Sequence, residues 1–75
     1  MMIEVYSKTN CPACVEAKHV LTQQGLDFIE YNIEKDIVKR AELFERIPDV
    51  RSVPQIFVDG VHIGGKQQLL ESFKI

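Results

Sequence analysis

The sequence has little cysteine, no excess of positive charge and no long apolar run. Only two cysteines occur among 75 residues, so any thiol chemistry belongs to that one pair. Nine basic residues stand against eleven acidic ones, a net charge of −2. That argues against nucleic-acid binding as a main role, which needs a basic face to neutralise phosphates. No apolar stretch approaches the roughly 20 residues of a membrane span. The opening Met1-Met2-Ile3-Glu4 has no signal-peptide character. The expected location is the cytoplasm, with neither membrane nor nucleic acid as a partner. Repeats, low-complexity tracts and linkers are also absent, so residues 1–75 read as a single domain. At this length a single core is barely self-sufficient.

What is present is a regular alternation of short elements. Met2-Ile3-Glu4-Val5-Tyr6-Ser7 reads as a strand, rich in β-branched and aromatic residues. Pro12 suits the first helical position, where its missing N–H is not needed. Ala13, Ala17, Val20 and Leu21 then recur with helical period, up to a stop at Gly25. Phe28-Ile29-Glu30-Tyr31-Asn32-Ile33 reads as a second strand, parallel to the first across a β-α-β crossover. Asp36 is an expected N-cap for a second helix, with Ile37, Ala41, Phe44 and Ile47 on its buried face and Pro48-Asp49 at its end. Gln55-Ile56-Phe57-Val58 and Val61-His62-Ile63 flank Asp59-Gly60, a two-residue hairpin signal. Gly64-Gly65 leads into a short last helix that offers Leu69, Leu70 and Phe73 to the core. The fold class is α/β, a mixed four-stranded sheet with three helices in the order β-α-β-α-β-β-α.

The chemistry lies in Cys11-Pro12-Ala13-Cys14. Two thiols one helical turn apart can close into a disulfide ring with little backbone movement, and beside a β-α-β pattern they form a thioredoxin-like redox motif. A purely structural bridge would do little, since closing a four-residue loop stabilises by about 2 kcal/mol against about 3 for fifteen residues. Cytosolic disulfides are also mostly transient and catalytic. As half of a zinc site the pair lacks partners, because His19 shares the helix of Cys14 and His62 lies in a hairpin strand. No metal is expected. A thiol attacks only as thiolate, and Cys11 stands where unpaired N–H groups and the helix dipole favour an anion. Lys8 adds positive charge to the same loop. Cys14, inside the helix, is expected to be less exposed. Cys11 is thus the expected nucleophile and Cys14 the resolving thiol.

Three segments, Tyr6-Ser7-Lys8-Thr9-Asn10-Cys11-Pro12-Ala13-Cys14, Ser52-Val53-Pro54-Gln55-Ile56-Phe57-Val58-Asp59-Gly60 and Ile63-Gly64-Gly65, together resemble a small dithiol glutaredoxin. The resemblance implies a thioredoxin fold, with the Cys11 loop facing a cis-proline loop at Pro54. It implies that Val53 offers its backbone N–H and C=O to an extended substrate such as glutathione. Lys8, Pro12 and Pro54 are then supporting residues. Lys8, Ala13, Val53, Pro54, Gly65, Lys66 and Gln67 are the expected glutathione or substrate contacts, with Gly64-Gly65 letting backbone N–H groups approach a carboxylate. No bound cofactor is implied, and glutathione is the co-substrate. Two departures from the family pattern stand out. Ala13 stands where an aromatic residue is common, and Lys66-Gln67-Gln68 stands where acidic residues meet the glutathione amino group.

The leading expectation is a monomeric, glutathione-dependent thiol–disulfide oxidoreductase acting on protein disulfides or glutathione mixed disulfides. The alternative is a redoxin reduced by a thioredoxin-type reductase and donating electrons to ribonucleotide reductase. A metal or iron–sulfur carrier using Cys11 is the third reading, and Pro12 and the second cysteine argue against it.

Overall fold

A computed structural model describes residues 1–73 of the chain. The elements are β1 (Ile3–Ser7), α1 (Pro12–Gln23), β2 (Ile29–Asn32), α2 (Ile37–Arg46), β3 (Gln55–Val58), β4 (Val61–Gly64) and α3 (Lys66–Ser72). The four strands form one sheet in the order β2-β1-β3-β4. β1 runs parallel to β2 and antiparallel to β3, and β4 is antiparallel to β3. This is the β-α-β-α-β-β-α arrangement expected from the sequence.

Alternation along β1 divides the interior between the two sheet faces, because successive side chains point to opposite sides. Ile3 and Val5 join Ile56, Ala17 and Leu21 of α1, and Leu69 of α3 in one buried cluster. Tyr6 and Phe57 face the other way and pack with Leu43 of α2. The local signals end the elements where they should. Gly25, at φ +69°, follows the last turn of α1. The Asp36 carboxylate accepts from Lys39 N–H at 3.1 Å and caps α2. Asp59 and Gly60 both take positive φ between β3 and β4, as a two-residue hairpin turn requires.

The buried face of α2 differs from expectation. Ile37 is 77% exposed, Phe44 and Ala41 are exposed, and Ile47 is only partly buried, while Leu43 is fully buried. The sheet beneath α2 explains the rotation. It presents the Glu4 carboxylate and the hydroxyls of Tyr6 and Tyr31, which need partners once covered. α2 meets Glu4 with Arg46 at 3.1 Å and Tyr6 with Glu42, while the Tyr31 hydroxyl donates to Glu4 and Lys39 covers the Tyr31 ring. Those residues share a stripe with Leu43 and Ile47, and the apolar stripe begun by Ile37 turns outward. Leu70, expected in the core, is likewise 42% exposed, because Leu69 occupies the inward position of the short α3.

Candidate functional site

The sheet register itself assembles the site. Tyr6 at the end of β1 pairs with Gln55 at the start of antiparallel β3, so the segment before β3 lies beside the loop after β1. Val53-Pro54 therefore faces the cysteine loop. The Val53–Pro54 peptide is cis, as the resemblance implies. Cys11 Sγ lies 3.7 Å from the Val53 carbonyl oxygen.

Cys11 is the N-cap of α1, with Pro12 as the first helical residue. Its sulfur accepts the Cys14 backbone N–H at 3.2 Å, one of the amides that a helix start leaves without a partner. An anionic sulfur there gains a charge-assisted hydrogen bond and the field of the helix. The two cysteines are joined as a disulfide with Cα atoms 5.2 Å apart. Their exposure is unequal, 7% for Cys11 and 1% for Cys14. Attack from solution therefore meets Cys11 first.

Two clefts flank this pair, and the exposed Lys8 borders both. The first, of about 320 Å³, lies toward α2 and contains Arg40, Phe44, Arg51 and Val53. The Arg40 guanidinium sits 5.6 Å from the Phe44 ring centre, and the rim around this apolar patch carries Lys8, Arg40 and Arg51 against a single carboxylate, Glu34. The second, of about 520 Å³, lies toward β2 and is bordered by both cysteines, Lys18, Glu30 and Lys35.

The expected residues near α3 are engaged within the protein. Gly65 N–H donates to Gln68 Oε1 at 2.9 Å, and a Cβ built on Gly65 would stand 3.2 Å from the Pro54 carbonyl oxygen. Lys66 Nζ reaches Glu16 Oε2 at 2.8 Å. Gln67 is exposed, Ala13 is half-buried, and neither borders the two clefts. Among the described residues, no group of three or more His, Cys, Asp or Glu side chains is placed to hold a metal ion. Arg40, Phe44 and Arg51 were not foreseen, nor were Lys18, Glu30 and Lys35. Only Lys18 carried a local signal, since it follows Cys14 by one helical turn on the same face.

The glutaredoxin family model matches residues 3–63 of the chain. The chain belongs to the glutaredoxin family. It is 42% identical over 67 residues to glutaredoxin 3 of Escherichia coli strain K12, covering 89% of this chain and 80% of that one. It is 43% identical over 63 residues to a probable glutaredoxin of Synechocystis, covering 84% and 72% of the two chains. The solved structure of reduced Escherichia coli glutaredoxin superposes with a TM-score of 0.80 at 29% identity, covering 99% of this chain and 94% of the other. A buckwheat glutaredoxin–glutathione complex gives 0.80 at 29% identity, covering 93% of this chain and 66% of that one. With this family and its Cys11–Cys14 pair, the chain is a thiol–disulfide oxidoreductase of the thioredoxin fold.

Proposed function

We propose that this glutaredoxin reduces protein disulfides and glutathione mixed disulfides at Cys11, and that glutathione is its reductant. The observation that carries the reading is the position of Val53. Its carbonyl lies against Cys11 Sγ, and the residue borders a cleft rimmed by Lys8, Arg40 and Arg51. A strand-like peptide laid along Val53 brings its sulfur to Cys11 and its carboxylate to those cations. The buckwheat relative, solved with glutathione, supports the same choice of ligand.

In the reaction, the Cys11 thiolate attacks one sulfur of the substrate disulfide and the other sulfur leaves as a thiolate. Cys14 then attacks the Cys11 sulfur, which releases the second substrate thiol and leaves the Cys11–Cys14 disulfide. Two glutathione molecules restore the dithiol and depart as glutathione disulfide. A reducing cytosol, where this chain acts as a monomer in our reading, keeps such a pair poised for transient oxidation.

One observation favours a second reading. Gly65 N–H is bonded to Gln68 and Lys66 to Glu16, and no carboxylate stands where the family pattern meets the glutathione amino group. A redoxin reduced by a thioredoxin-type reductase, with ribonucleotide reductase as acceptor, has no need of that contact. A coupled turnover assay compares the two. Glutathione with glutathione reductase should sustain NADPH-dependent disulfide reduction, and Cys11→Ser should abolish it. Turnover with only the thioredoxin-reductase system would replace glutathione as the reductant, and turnover by Cys11→Ser would overturn the nucleophile.

A further inference from the structure

The cleft toward β2 holds a group that the chemistry above leaves unused. Cys14 is only 1% exposed, yet it borders this cleft, and among the described residues Glu30 is the one carboxylate on the cleft wall. The other charged groups there are Lys18 on α1, Lys8 in the loop after β1 and Lys35 in the loop after β2. Glu30 pairs in register with Val5 and so shares the sheet face that lies under α1. The fully buried Ser7 hydroxyl donates to Glu30 Oε2 at 2.6 Å, and Lys18 Nζ donates to the same oxygen at 2.8 Å. The Glu30 side chain keeps 36% exposure, so it reaches from the covered wall to solvent.

Resolution of a mixed disulfide needs a proton acceptor, because Cys14 attacks as thiolate, and its sulfur, only 1% exposed, meets solvent only along this cleft. We propose that Glu30 accepts, through solvent in the cleft, the proton that Cys14 releases in the resolving step, with Ser7 and Lys18 as its positioning residues. This rests on Cys14 being the resolving thiol. The step balances without a further reactant. The Cys14 thiol and the Cys11–partner disulfide give the Cys11–Cys14 disulfide, the partner's thiolate and one proton. In the reverse direction, glutathione attack on Cys11 expels the Cys14 thiolate, and the same carboxylate relays a proton to it from solvent.

Burial opposes the charge on Glu30, but hydrogen bonds from Lys18 and Ser7, aided by the nearby charge of Lys35, outweigh it and hold its pKa below the usual carboxylate value. Glu30 is thus ionised at neutral pH. It relays the proton to solvent and does not store it.

Stopped-flow reaction of the reduced protein with an aromatic disulfide whose thiolate absorbs visible light separates the steps. The first phase is mixed-disulfide formation at Cys11, and the second is resolution by Cys14. In Glu30→Gln the ratio of second-phase to first-phase rate falls about tenfold or more at neutral pH, less than the roughly 10²–10⁴-fold expected of a base in direct contact. The ratio recovers as pH rises toward the free-thiol value of about 8.5. In Lys18→Met, Glu30 loses a hydrogen bond that depresses its pKa, and the acid limb of the second phase moves to higher pH. An unchanged ratio in Glu30→Gln, or both phases slowed in proportion, overturns the proposal. If Glu30→Gln does not fold, an unmoved acid limb in Lys18→Met overturns it. A second phase surviving in Cys14→Ser would instead overturn the role of Cys14, whatever Glu30 does.

Discussion

Glu4 shows how a single residue can govern the packing of a neighbouring helix. Its side chain is 5% exposed on the α2 face of the sheet, where an unpaired carboxylate would be costly. Arg46 Nη1 and Tyr31 Oη each donate to it at 3.1 Å. The Arg46 guanidinium also lies 4.4 Å from the Phe57 ring centre, so it bridges a buried acid and an aromatic cluster. Removing one partner of such a pair leaves the other charge stranded, which is more damaging than the net worth of the pair. Arg46→Met should therefore lower stability by about 2 kcal/mol in urea unfolding. That is less than for a fully buried pair, because the Arg46 side chain is 32% exposed and Tyr31 still donates to Glu4. A change under about 0.5 kcal/mol, typical of a surface substitution, would show that Glu4 is not held by Arg46.

At the scale of elements, α2 depends on its start. The Asp36 side chain caps the Lys39 N–H, and Arg40, one turn in, borders the cleft beside Val53. Asp36→Ala should cost about 1 kcal/mol, read as a lower urea midpoint with an unchanged slope. The caps and turns of this fold were legible in the sequence because each is local. Pro12, Gly25, Asp36 and Asp59-Gly60 act on the backbone within a few residues. The inward stripe of α2 was not, because helical period gives the spacing of a face but not its polar partners across the sheet. Glu4, Tyr6 and Tyr31 set that phase from strands distant in sequence. The candidate site divides the same way. Cys11, Cys14, Val53 and Pro54 were legible from motifs that the fold brings together. Glu30 with Lys18, and Arg40 with Arg51, become neighbours of the thiols only through sheet register and helix packing.

The whole molecule carries its charge network into its pH response. The Tyr6 hydrogen bond, with that of Lys39, holds Glu42 below the ordinary value of 4.5 against the effect of burial, and Glu30 is held low as well. Their contribution to folding is present above 4.5 and is lost as pH falls through their lowered values. Burial, with hydrogen bonds to Glu42 and Glu4, pushes Tyr6 and Tyr31 above the ordinary 10.0. Their contribution is present below 10.0 and is lost as pH rises through the raised values. The urea midpoint should thus stay level between about pH 5 and 9 and fall on either side. A midpoint that rose on acidification below that range would contradict this network. The unequal covering of the two sulfurs reaches further, into kinetics. With Cys14 closed to solution, substrate and reductant must use the same sulfur in turn and cannot occupy the protein together. If Cys11 is the one sulfur used, electrons enter and leave by one door. Steady-state kinetics should then show the parallel-line pattern of ping-pong turnover, while intersecting lines would show a second point of entry.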